Sequence, residues 1–392
     1  MDRVGVYIQV PFCASKCSFC NFSSRVERAS SFDPYCQAVE QEIERLSEIY
    51  AGWGIDPRLS IAPVDTLYMG GGTPSLLGGA RLGRVMDALH AHFDFCPEFE
   101  FTLEVTPGSA GSDFLEQARG LGLNRLSVGA QTFDDRELRA VGRLHSAKAT
   151  CDLIKLAHCV GFQNISLDLI AGLPYQTAAS WQHTLETAVR LEPMHVSLYL
   201  FEVDEKSRLG REVLNDGTRY HARGVPGEAF VTEAYESGRR FLEQEGYAEY
   251  EISNFARPGF ESRHNQKYWQ LDPYVGLGAG AHSFDGERRW ANEAAPQVYQ
   301  EKLALGLSPI GELRAVSPEE HLEEFFFLGL RQRQGVDLSR AGERWGGERV
   351  ALWKERIAVL ADEGWLERTG SVIRLPESAY LVSNEIFQEF VM

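Results

Sequence analysis

The chain has 392 residues, 44% hydrophobic and 24% charged, which excludes a disordered chain and suggests about two to three domains or one barrel with an appendage. A formal net charge of −17 excludes a broad basic face for phosphate backbones, so no nucleic-acid partner is expected. No run approaches the ~20 apolar residues of a membrane-spanning helix. Met1-Asp2-Arg3-Val4 leads straight into an apolar alternation without a signal-peptide core, so a cytoplasmic protein with no integral membrane segment is expected.

In chain order, the first predicted strand is Val4–Val10, and a cysteine-rich loop follows it. Asp33-Pro34 then reads as a helix start, and Val39, Ile43, Leu46 and Tyr50 recur at helical spacing. A second strand, Val64–Met69, runs into Gly70-Gly71-Gly72-Thr73-Pro74, and Leu82, Val85, Leu89 and Phe93 mark the next helix. Further strands are read at Glu100–Val105, Asn124–Gly129, Asn164–Ile170 and His195–Phe201, with helical stretches at 114–121, 147–160 and 180–191 between them. Repeated strand–helix units imply a parallel sheet with right-handed crossovers, and six of them suit a partial (β/α)6 barrel. The unusual residues cluster at the C-terminal strand ends, the face on which such barrels carry their chemistry.

Residues 209–226 read as an irregular loop, 230–245 as a helix, and 247–255 as an extra strand with its turn. Gly276-Leu-Gly-Ala-Gly-Ala-His282-Ser is too rich in glycine for a helix interior and is expected to pack closely on another backbone. After Pro318, two helices and a short strand at 372–375 suggest a winged-helix-like module. The predicted division is a barrel at 1–245, an extension at 246–315 and a C-terminal helical module at 316–392. Acidic residues accompany the arginines of the last module, which points to a lid or docking role and away from DNA.

Seven cysteines is an odd count, and three lie within eight residues as Cys13-x3-Cys17-x2-Cys20. Such a triplet indicates metal binding more than a disulfide framework. Cys36, Cys96, Cys151 and Cys159 read as reduced, mostly buried thiols. Three thiolates on one short loop suit an iron–sulfur cube with one iron left open, while a zinc site completed by a remote fourth ligand is the alternative. Gly70–Pro74 lacks the Gly-Lys-Ser/Thr of a Walker loop and the spacing of a dinucleotide fold. It reads either as a close-approach ligand turn or as a tight strand exit.

With Phe19 before the third cysteine, the triplet resembles the radical S-adenosylmethionine (SAM) signature. The resemblance narrows to the HemN/HemW-like branch through Tyr7–Cys13, Gly70–Ser75, Glu104–Pro107, Arg125–Phe133, Gly142–His145, Asp168–Pro174 and Gly276–Ser283, nearly the whole chain. It implies a [4Fe–4S] cluster on Cys13, Cys17 and Cys20, with SAM on the open iron. It implies SAM contacts at Tyr7, Gly71, Glu104 and His282, and second-SAM contacts at Phe19, Gly72, Thr73, Gln131, Arg143 and Asp168. For each of these side chains an ordinary structural hydrogen bond is the alternative.

Within this branch a haem chaperone is favoured over an oxygen-independent coproporphyrinogen III oxidase. No further cysteine follows two residues after Cys20, no long arm precedes Tyr7, and His264-Asn-Gln-Lys-Tyr268-Trp269 resembles the chaperone group's H-N-x-x-Y-W stretch. That resemblance implies haem as cargo, His264 as a candidate haem ligand, a haem-accepting partner protein and an electron donor. A related radical SAM methyltransferase or haem-ring-opening enzyme is a third reading. One departure stands out: Gln9 replaces the family's usual first-strand histidine and cannot serve as an imidazole ligand.

Overall fold

Six strands run parallel through the first half of the chain: β1 (Val4–Val10), β2 (Val64–Gly71), β3 (Phe95–Val105), β4 (Arg125–Gln131), β5 (Asn164–Ala171) and β6 (His195–Leu200). These are seen in a computed structural model that describes residues 3–391; the readings that fall on Met1, Asp2 and Met392 lie outside it. Helices 32–44, 79–92, 112–120, 147–160 and 178–190 follow successive strands, giving the partial α/β barrel read from the sequence. Strand alternation sets the two faces. Val4, Val6, Ile8 and Val10 are buried among the helices, where helix 79–92 contributes Leu82, Val85, Met86 and Leu89. Helix ends follow local chemistry. Ser146 accepts from the Ala149 N–H at the start of helix 147–160, and Gly161, at φ 100°, ends it in the left-handed region.

The sheet is twice as wide as the sequence suggested. It continues in β7 (Ala248–Glu251), β8 (Asn254–Ala256), β9 (Tyr274–Leu277), β10 (His282–Phe284), β11 (Arg288–Asn292) and β12 (Ile310–Ala315). Its order is β12-β11-β10-β9-β1-β2-β3-β4-β5-β6-β8-β7, without closure. β9 lies parallel to β1 (Tyr7 opposite Gly276) and begins an antiparallel extension. The expected close packing of the glycine-rich stretch is present: a Cβ at Gly276 would stand 2.0 Å from the His282 carbonyl oxygen.

The expected loop at 209–226 is instead a helix at Arg208–Leu214 and a 3-10 turn at Arg219–Gly224. Ser207 caps the helix on the Gly210 N–H, and buried Leu209 packs with Leu173 and Phe201. Contacts that distant in sequence leave no local period.

A second core, built on Leu322, Phe326, Trp353, Ile357 and Phe390, supports the C-terminal helices and a three-stranded sheet. It joins the barrel sheet through Arg331–Glu251 (3.2 Å), Arg333–Glu249 (3.7 Å) and Arg239–Glu377 (2.9 Å). No helix among the described residues is long and apolar enough to cross a membrane.

Candidate functional site

Interior positions of a parallel barrel are ordinarily packed with Val, Ile and Leu. Here they are polar: Tyr68 on β2, Glu104 on β3, Arg125 and Ser127 on β4, Ser166 and Asp168 on β5, His195 and Ser197 on β6. All of them line one cavity of about 880 Å3. It opens at the cysteine loop and reaches Tyr380, Leu381, Ser383 and Asn384 of the C-terminal module.

The cysteine loop is pinned from several sides. Ser18 N–H donates to Val141 O (3.0 Å), Leu209 N–H to Ser18 O (2.8 Å), and Lys16 Nζ to Phe22 O (2.6 Å). All seven cysteines are free, but only Cys13, Cys17 and Cys20 lie on the cavity wall, each half-buried; of the other four, expected to be mostly buried, only Cys36 is buried, while Cys96 and Cys151 are half-buried and Cys159 is exposed. Burial pushes the Cys20 thiol up, with Lys16 opposing, so a cationic centre is what would draw it to thiolate. Among the described residues no three His, Cys, Asp or Glu, the cysteine triplet included, are gathered closely enough to hold a single metal ion. Three thiols on one pinned loop suit a cluster whose irons occupy separate corners.

The glycine turn is stitched to this loop. Gly72 N–H donates to Val10 O (2.8 Å) and Thr73 N–H to Phe12 O (2.6 Å), while Gly71 sits at φ 103°. Glu104 accepts from Gly71 N–H (3.0 Å) and the Tyr68 hydroxyl (3.0 Å). Burial, and then the charge of Asp168, push its carboxyl up to about 7; burial pushes Asp168 to about 6. Gln131 ends β4 at φ 67°. Arg143 donates to Gly129 O (2.5 Å) and approaches Cys17 Sγ (3.6 Å), leaving its Nε without a partner. Phe19 packs on the small cluster around Val141 and Phe201.

Cysteines, glycine turn, Glu104, Gln131, Arg143 and Asp168 are therefore brought together on one cavity, as are Phe19 and Thr73. Tyr7 and His282 are not on its wall: Tyr7 donates to Gln9 Oε1 (2.7 Å), and His282 is exposed on β10. Gln9 fills the space over Gly71, where a Cβ would stand 2.3 Å from its amide nitrogen.

His264 is not on the cavity wall. It lies on helix Arg263–Gln270, only 1% exposed, with Nδ1 on the Thr66 hydroxyl (2.9 Å) and Nε2 on the Tyr268 hydroxyl (2.8 Å). Burial, and next Lys267, pull its pKa down to about 3. Both nitrogens are engaged, so in this conformation it offers no lone pair to a haem iron. Tyr268 packs edge-on against Tyr274 (4.7 Å), and Trp269 lies under the Arg331 guanidinium.

Two cavity residues were not read from the sequence. Arg125 opens a strand classed as apolar. His145 is buried with no well-formed hydrogen bond on either ring nitrogen, and it is pulled down to about 4 by burial and then by Arg143, against a loose contact with the Ala130 backbone. The available signal was the polar alternation Arg125-x-Ser127-x-Gly129-x-Gln131, which places one polar face on a strand.

The raised Glu104 carboxyl yields a signed pH prediction. A folded pKa above the unfolded value means that ionisation opposes folding, so Glu104's contribution falls as pH rises from about 4.5 to about 7. Glu104→Gln never ionises. Its stability relative to the parent is expected to be greater at pH 8 than at pH 5, measured by urea unfolding; equal differences at both pH values would refute the assignment.

The Radical SAM superfamily model matches residues 7–188, and the HemN C-terminal domain model matches residues 316–382. The chain is 34% identical to the heme chaperone HemW of Bacillus subtilis over 98% of both chains. It belongs to the HemW family. HemW of Mycobacterium tuberculosis is 32% identical over 97% of this chain and 93% of its own. Among solved structures, coproporphyrinogen III oxidase HemN of Escherichia coli superposes with a TM-score of 0.85, covering 99% of this chain and 90% of that one. At 24% identity this likeness speaks for the fold alone.

Proposed function

We propose that this radical SAM protein binds haem and hands it to an acceptor protein, in the cytoplasm and with an external electron donor. The carrying observation is the cavity of about 880 Å3, at the upper end of the ~300–1,000 Å3 usual for small-molecule sites and in keeping with a cargo larger than SAM alone. Cys13, Cys17 and Cys20 would hold a [4Fe–4S] cluster, with SAM chelating its open iron. When bound, that pair supplies one-electron chemistry, while the protein positions it and excludes water. The Gly70–Thr73 backbone gives SAM a bare surface, Glu104 and Asp168 suit hydroxyl or ammonium groups, and Arg143 suits a carboxylate. Residues 1–245 would form the cofactor barrel, 246–315 its extension and 316–392 a lid, the last supported by Tyr380 and Asn384 on the cavity wall.

Haem iron needs an axial donor. Of the two histidines on the cavity wall, His195 is engaged by Ser166 (2.7 Å) and the Tyr250 hydroxyl (2.9 Å), whereas His145 makes only a loose contact with the Ala130 backbone. We therefore assign the axial role to His145. The test is an anaerobically reconstituted protein given haem, or coproporphyrinogen III with SAM and reductant. Haem binding without porphyrinogen conversion is expected, and formation of protoporphyrinogen would refute the chaperone reading in favour of the oxidase. His145→Ala is expected to change the haem spectrum and weaken affinity about tenfold or more, with His264→Ala leaving the spectrum intact. The opposite pattern would restore His264 as ligand.

A further inference from the structure

We propose that Arg125 is a carboxylate receptor at the deep end of the barrel cavity. It opens β4, paired with Thr102 of β3 on one side and Asn164 of β5 on the other, and it lines the cavity while only 2% exposed. Buried guanidinium groups are normally paired, because an uncompensated charge in a low-dielectric interior is strongly unfavourable. Arg125 is not paired. Its Nε has no hydrogen-bond partner, and it forms no ion pair among the described residues. The Thr102 hydroxyl, on the residue paired with Arg125 in β3, is also buried without a partner. An unanswered guanidinium on the cavity wall marks a place where a ligand completes the bonding.

The surrounding groups do not supply the missing anion. Glu100 already accepts from the N–H groups of Arg263 (3.1 Å) and His264 (3.1 Å). Glu104 is taken by Gly71 and Tyr68, and Asp168 lies beyond ion-pair distance. His195, bonded to Ser166 and Tyr250, is kept neutral by burial and by Arg125 itself. A planar fork of N–H donors facing an enclosed space matches a carboxylate in two-point contact.

Depth separates this site from Arg143. Arg143 is anchored on Gly129 O, four residues further along β4, or roughly 13 Å at the strand rise of about 3.3 Å. The proposal rests on the barrel being the ligand chamber described above, and the carboxylate has two candidate sources: a haem propionate or a second SAM. The depth favours the propionate.

The test uses the full-length reconstituted protein with Arg125→Met and Arg125→Lys. Haem, haem dimethyl ester and SAM are titrated separately. The parent is expected to prefer haem over its ester by tenfold or more. Arg125→Met loses that preference, Arg125→Lys keeps part of it, and SAM affinity is unchanged. A tenfold loss of SAM affinity with the ester preference intact would keep the receptor and assign its carboxylate to SAM. Because Arg125→Met removes an unpaired buried charge, its melting midpoint is expected to rise. A lowered midpoint, or unchanged haem discrimination together with unchanged SAM affinity, would overturn the proposal. A parent that binds no haem would bring down the chaperone reading alone, leaving the SAM arm to decide Arg125.

Discussion

Gly72→Ala is expected to abolish cluster assembly and to destabilise the fold by about 3 kcal/mol. A Cβ there would stand 2.3 Å from Phe12 O, 2.8 Å from Phe12 C and 2.8 Å from Val10 O, all backbone atoms of the segment that presents Cys13. No rotamer relieves such a contact, so the glycine turn and the cysteine loop must separate. Separation breaks the Gly72 N–H to Val10 O and Thr73 N–H to Phe12 O bonds. Overpacking costs about 1–3 kcal/mol, and each lost hydrogen bond roughly 0.5–1.5 kcal/mol. Gly83→Ala is the control. The nearest atoms to its added Cβ lie 4.0 Å away within a helix, and alanine there should stabilise by about 0.5–1 kcal/mol. Iron and acid-labile sulfide content, with urea unfolding, measure both; a full iron complement in Gly72→Ala would defeat the prediction.

Glu42→Ala is expected to cost on the order of 3–5 kcal/mol and to loosen the β9–β12 extension from the barrel. Glu42, on helix 32–44, is 2% exposed and accepts from Gly278 N–H (2.8 Å), Asn292 Nδ2 (2.6 Å) and the Tyr299 hydroxyl (2.5 Å). Truncation leaves three buried donors without an acceptor, each worth about 1–3 kcal/mol in lost solvation. Glu42→Gln keeps an acceptor and should lose less than half as much. Hydrogen exchange at 274–292 reads the loosening, and unchanged protection there would refute it.

Sequence periodicity alone determined the six parallel strands and their helices, because strand and helix periods are local properties of the chain. The cysteine triplet was equally legible, since one loop carries all three thiols. The glycine-rich stretch at 276–283 announced a close approach but not its partner, β1. The helix at Arg208–Leu214 was hidden because its one buried anchor, Leu209, packs on residues distant in sequence. His264 shows the limit most clearly. An imidazole beside Tyr and Trp is a ligand candidate only by resemblance and otherwise a packed residue, and only the fold brings Thr66 to its other nitrogen. Arg125 shows the converse: it passed as a strand residue, and only the curved sheet buries it and leaves its charge unanswered. Residue type and spacing thus determined which chemistry the chain can perform. Tertiary structure decided which donors remain free to perform it, because hydrogen-bond satisfaction depends on neighbours from other strands.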